Sequence, residues 1–190
     1  MSGIITRCPW CAGDEKYIRY HDEEWGVPLF DSKRLFEFLI LDGAQAGLCW
    51  LTILKRREGY RAAFDNFDAE KIARYDAQDI NRLLADQRII RNRLKIESAV
   101  KNAQGYLEFM EGHVSFGSWI WQFTDGRPII NRWKSSDEVP ASTPLSTVIS
   151  KELKKRGWSF VGPVIIYAFM QAAGLVNDHL VSCFRYRELL

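Results

Sequence analysis

Apolar residues return every three or four positions over most of this chain, and that spacing restricts it to a fold built almost wholly of helices. Leu35, Phe36, Leu39 and Ile40 form one such series, and Ile89, Ile90, Leu94, Ile96 and Val100 another. This is the period that stacks side chains on one face of an α-helix. The alternation of a half-buried strand is almost absent. Short polar caps mark where helices begin: Asp31-Ser32, Asp68, and Ser142-Thr143 ahead of Pro144. Gly26, Gly47, Gly105, Gly157 and Gly174 are expected where helices stop or turn. The reading is an all-α chain of roughly eight or more helices. Thr124 to Pro144, with three prolines and many polar residues, is expected to be an irregular connection that could join two helical lobes.

At 190 residues the default is one domain, 1–190. No apolar run reaches the roughly 18 residues of a membrane helix, and no basic-then-apolar leader is visible, so the expectation is a cytoplasmic protein without a membrane partner. Four cysteines, Cys8, Cys11, Cys49 and Cys183, are too few and too scattered for a disulfide framework. A net charge of +2 does not by itself indicate a nucleic-acid partner. Any such reading rests on three local clusters: Lys55-Arg56-Arg57; Arg88, Arg91, Arg93 and Lys95; and Lys151, Lys154, Lys155 and Arg156. Each could meet phosphates or be a solvated helix face.

The last cluster leads into Gly157-Trp158-Ser159-Phe160-Val161-Gly162-Pro163, which reads as a basic helix, a turn and an apolar helix opened by proline. Proline at the first helical position loses no internal hydrogen bond. Glycine before it lets the backbone approach a ligand, and the free N–H groups of the helix start suit a phosphate. The stretch from about 151 to 174 is thus a candidate second half of a helix-hairpin-helix, or an ordinary turn between packed helices.

His179 and Cys183 lie four apart on what is expected to be a final short helix, so both would project from one face. Cys8 and His21 lie near the other end. Four Cys and His ligands suit a closed tetrahedral zinc site that is structural, because no position is left for a reacting water. Cys11 leaves other possibilities open: a thiol-redox pair with Cys8, a ligand in place of His21, or no metal at all.

Taken together, Arg7-Cys8-Pro9-Trp10, the stretch from Tyr20-His21-Asp22 to Val27-Pro28, Gly43-Ala44-Gln45-Ala46-Gly47-Leu48-Cys49-Trp50, and Lys154 to His179 resemble the bacterial 3-methyladenine DNA glycosylase I family of the helix-hairpin-helix superfamily. The resemblance runs over nearly the whole chain. It implies a monofunctional enzyme that flips alkylated adenine out of double-stranded DNA and hydrolyses its bond to the sugar. It further implies zinc on Cys8, His21, His179 and Cys183, with Cys11 outside, and a base pocket of Trp10, Tyr20, Trp25, Asp42 and Trp50. The Gln45 to Leu48 loop would wedge into the duplex, while Gly162 and Pro163 would meet the backbone. A monomer without a nucleotide cofactor is expected.

The chemistry suits these residue types. Extruding a base costs a few kcal/mol, which aromatic stacking of roughly 1–3 kcal/mol per base offsets. Methylation at N3 makes adenine cationic, so aromatic faces attract it by cation–π contacts. A carboxylate can accept hydrogen bonds from the base amino group and stabilise the developing sugar cation. The family pattern has Glu where this chain has Asp42, which shortens the reach by roughly 1 Å and lengthens a direct hydrogen bond or places a water in it. A non-catalytic binder of alkylated DNA that keeps the fold is therefore the alternative. Asp178 is a second candidate acid, or simply a group that orients His179. Trp10, Trp25 and Trp50 could equally be core. Trp119, Trp121, Trp133 and Trp158 are assigned there, and His113 to the surface or a loop.

Overall fold

The computed structural model describes residues 5–112 and 115–190, and the expectation for His113 lies outside them. Eleven α-helices occur among the described residues. They are α1 (Glu15–Glu23), α2 (Ser32–Gln45), α3 (Trp50–Leu54), α4 (Arg57–Ala63), α5 (Ala69–Ile72), α6 (Ala77–Ala85), α7 (Arg93–Glu111), α8 (Phe116–Trp121), α9 (Pro144–Lys155), α10 (Pro163–Ala172) and α11 (Phe184–Glu188). None is long and apolar enough to cross a membrane.

The caps read from sequence are the caps formed. Asp31 accepts from the Arg34 N–H at 2.8 Å, Asp68 accepts from Glu70 and Lys71, and Thr143 and Ser146 form a reciprocal capping box around Pro144. The expected irregular stretch holds only short 3-10 turns and a two-residue strand, β1 (Ile129–Ile130). That strand pairs in parallel with β2 (Val176–Asn177), a small non-helical feature that periodicity did not reveal.

The middle of the fold is α2, whose residues from Leu35 to Ala44 are all buried. A helix covered on every side loses its polar face, so it carries Leu, Phe, Ile and Ala almost without interruption. It packs on α3, α7, α8 and α10, and α9 lies against α10. One apolar cluster runs through these helices, while Cys8, Leu180 and Cys183 form a smaller one where the two ends of the chain meet.

Gly105 was expected at a helix end, yet α7 runs straight through it. The reason is lateral: a Cβ on Gly105 would come within 2.2 Å of the Trp158 indole nitrogen, so glycine is there to admit that ring. Gly105→Ala should cost about 1–3 kcal/mol through overpacking. Thermal unfolding should then show a fall of several degrees in Tm, since about 2–4 °C follows each kcal/mol at this chain length. Gly26, Gly47, Gly157 and Gly174 do occupy positive-φ turns.

Candidate active site

α2 ends beside a cavity of about 250 Å³ walled by Trp10, Tyr17, Tyr20, Trp25 and Trp50, with Asp42, Gln45, Gln171 and Asp178 also on its lining. All five residues expected in the base pocket are therefore together. Asp42 reaches it because it lies one turn before the end of α2. Trp10 follows Pro9 in a short 3-10 turn, Tyr20 lies on α1, and Trp50 opens α3. The aromatic rings contact one another: Trp10 meets Trp25 edge-on at 5.0 Å between centroids, and Tyr20 lies 5.4 Å from Trp50.

Asp42 is 3% exposed, and its Oδ2 has no hydrogen-bond partner. A buried acceptor left unpaired costs roughly 1–3 kcal/mol. Burial pushes the Asp42 carboxyl well above the ordinary carboxylate range, because charge is poorly solvated there. Burial raises Tyr20 too, with the Asp42 carboxyl adding to it. The Trp50 indole nitrogen is also buried without a partner. The cavity therefore offers an acid, an indole donor and π faces to an occupant of matching chemistry.

Asp178 is different. It accepts from Asn131 Nδ2 at 2.6 Å, Trp133 Nε1 at 2.8 Å, the Tyr167 hydroxyl at 2.5 Å and Gln171 Nε2 at 2.7 Å. Four accepted bonds use the capacity of an ionised carboxylate. The expectation that Asp178 orients His179 does not hold, since the His179 Nε2–H is directed instead to the Trp25 carbonyl at 3.0 Å. Of the four tryptophans assigned to the core, Trp121 and Trp158 are buried, while Trp119 and Trp133 are half-buried against the two apolar clusters, Trp133 also being tied to Asp178. Sequence reasoning missed Tyr17 and Gln171. Tyr17 lies three residues before Tyr20, on the same face of α1, and that spacing could have found it.

Cys8, His21, His179 and Cys183 are all buried, with their ligand atoms within 4.8 Å of one another. The Cys183 sulfur is 3.4 Å from His21 Nε2 and 3.6 Å from His179 Nδ1, and the Cys8 sulfur is 3.7 Å from His179 Nδ1. Tetrahedral zinc bonded to sulfur and nitrogen would set these edges at about 3.6 Å. The outer nitrogens have partners: His21 Nδ1 meets Asp22 at 2.7 Å, itself held by Arg7, and His179 Nε2 meets Trp25. This leaves the inner nitrogens as lone pairs toward the centre, as a metal requires. Interaction between the two thiols draws Cys183 below its ordinary value and pushes Cys8 above it, and a cation at the centre would bind both as thiolates. The donor set fits a metal ion. The expected helix under His179 and Cys183 is absent, however. They lie in the non-helical segment after β2, with Cys183 capping α11, and that turn brings them together. Cys11 is outside, its thiol donating to the Cys8 carbonyl at 3.1 Å.

The basic clusters are largely spoken for within the fold. Arg57 binds Glu24 at 2.6 Å and lies 3.4 Å from Glu37, Lys55 pairs with Asp14, and Arg56 donates to the Gln87 carbonyl. Lys155 and Arg156 share Glu152, whereas Lys151 and Lys154 are exposed.

An aromatic cavity with one unpartnered buried acid, closed off by a Cys/His cluster joining the chain ends, has a counterpart among known proteins: the methyladenine glycosylase family model matches residues 10–186. This chain belongs to that family. The DNA-3-methyladenine glycosylase 1 of Escherichia coli K12 is 49% identical over 182 residues, covering 96% of this chain and 97% of the relative. A crystal structure of 3-methyladenine DNA glycosylase I superposes with a TM-score of 0.93 at 50% identity, covering 94% of this chain and 98% of that one. A tyrosine-to-phenylalanine variant of such a glycosylase, solved in complex with 3-methyladenine, superposes at 0.90 with 40% identity, covering 94% and 96%. The match covers nearly the whole chain, and the five aromatic residues of the pocket and Asp42 all lie within residues 10–186.

Proposed function

We infer that this chain excises 3-methyladenine from alkylated double-stranded DNA by flipping the base into the aromatic cavity and hydrolysing the N-glycosidic bond. The observation that carries this reading is the unpartnered, buried Asp42 carboxyl inside a ring of aromatic residues. A neutral adenine gains little there. An N3-methylated adenine brings positive charge, which the rings of Trp10, Tyr20, Trp25 and Trp50 attract and which Asp42 can meet as a carboxylate. Binding thus places a cation beside Asp42 and favours the charged form of a carboxyl that burial alone disfavours.

The rest follows from the substrate. When the bond from C1′ to the base breaks, its electron pair cancels the positive charge of the base, which leaves neutral. Water adds to C1′ and loses a proton to solvent. Little acid catalysis is needed, so the chain's work is extrusion, orientation and stabilisation of the sugar cation. Gln45 lies on the cavity lining and Leu48 is 39% exposed beside it, a placement suited to filling the gap left in the duplex. Gly162 caps α10 ahead of Pro163, and a Cβ there would meet nothing within 4 Å, which suits contact with a phosphate. Residues 1–190 act as one helix-hairpin-helix glycosylase domain, monomeric and cytoplasmic, with one structural zinc on Cys8, His21, His179 and Cys183.

Incubation with methylated duplex DNA should release free 3-methyladenine, measured by chromatography, with unmodified adenine retained. Tight binding of alkylated DNA without release would instead favour the non-catalytic reading that Asp42 in place of Glu raises.

A further inference from the structure

Helix α7 makes two polar attachments to segments bordering the site, and neither belongs to the pocket itself. Lys95 extends its ammonium to the carbonyls of Ala44 and Ala46, both at 2.7 Å. These flank Gln45 at the end of α2, where the last carbonyls of a helix have no internal partner and carry the negative end of its dipole. Seven residues along, Asn102 exchanges two hydrogen bonds with Ser159, each 2.9 Å, in the turn between α9 and α10. Residues seven apart share a helix face and lie about 10 Å apart along its axis.

Partial burial lowers the Lys95 pKa, which marks an ammonium drawn out of water. The Lys95 backbone carbonyl in turn accepts from the buried Ser98 hydroxyl at 2.7 Å. The segment it holds is tightly wound, with Leu48 N–H bonded to the Gln45 carbonyl and Gly47 at φ +76°.

We propose that Lys95 is a positioning residue: it fixes the Gln45–Leu48 loop to the same helix whose Asn102 holds the α9–α10 turn, so that α7 sets the distance between the two segments that meet DNA. This rests on the function proposed above. Lys95 acts through backbone carbonyls and touches neither base nor phosphate.

Lys95→Met and Lys95→Arg separate this from a phosphate contact. Amide hydrogen exchange needs no activity. In Lys95→Met it should speed up across residues 46–49 and stay unchanged in α10, while Lys95→Arg, whose guanidinium can still bridge two carbonyls, should recover most of the protection. On methylated duplex DNA, base release at saturating substrate should fall about tenfold or more, as expected for a misplaced loop. The affinity for free 3-methyladenine should change less than twofold. The salt dependence of DNA binding should keep its slope, because a lost phosphate contact would reduce it by about 0.9. Unchanged exchange at 46–49, or a slope reduced by about one, would overturn the proposal. If the unaltered protein releases no base, the glycosylase reading fails, and the exchange measurement still decides what Lys95 holds.

Discussion

Asp42→Asn should lower 3-methyladenine release by about 10–100-fold and, at the same time, make the protein more stable at alkaline pH. The first effect is the loss of a charge-assisted hydrogen bond to a cationic base, on the order of 1.5–3 kcal/mol, with each 1.36 kcal/mol worth a factor of ten. The second comes from linkage. The folded-state carboxyl is raised by burial, so between its ordinary value and the raised one the unfolded chain has lost a proton that the folded chain keeps. Stability is then fully present below the ordinary value and is lost as pH rises through the raised one. Asparagine carries no such penalty. The melting temperatures of variant and native protein should nearly coincide near pH 4 and separate as pH climbs, with the variant higher. The kcat/KM of the native protein should fall as pH drops below the raised Asp42 value, and that limb should be absent in Asp42→Asn. Melting curves that run parallel at all pH values would show that Asp42 is not a buried acid. Unchanged release would remove it from the chemistry.

Chelation, or Cys183→Ser, should remove one zinc per chain and lower Tm by about 10 °C or more. Structural zinc binding is worth about 10–16 kcal/mol in small peptides, and even a third of that is several degrees here. The loss should extend into the pocket. Trp10 lies 5.3 Å from the His21 ring and Trp25 lies 4.6 Å from His179, so two walls of the cavity rest on the ligands. Free 3-methyladenine should bind more weakly to the metal-free protein, followed by quenching of tryptophan fluorescence. Metal content by atomic absorption below 0.2 zinc per chain in freshly prepared native protein, on the order of background, would reject the site.

Local chemistry carried much of this protein legibly in the order of its residues. The Leu35–Ile40 periodicity, the Asp31, Asp68 and Thr143 caps and the proline-rich irregular stretch needed only neighbours within a few positions, and each formed as expected; the series from Ile89 to Val100 did not, because Ile89 and Ile90 lie in the non-helical stretch before α7 and Leu94 is exposed. The Cys and His quartet was also legible, although for a reason that proved partly wrong: His179 and Cys183 converge through a non-helical turn, and their four-residue spacing on a helix played no part. Contacts between distant segments decided the rest. Gly105 reads as a helix stop until Trp158 is seen to need its space. Arg57 reads as part of a basic patch until Glu24 and Glu37 close on it. Asp178 reads as a partner of its neighbour until four donors from other segments meet it. The isolation of Asp42, on which the chemistry turns, is likewise a property of what surrounds it. A side chain's spacing reports which face it shares, but its solvation and charge depend on atoms brought near by the fold, and those lie far away along the chain.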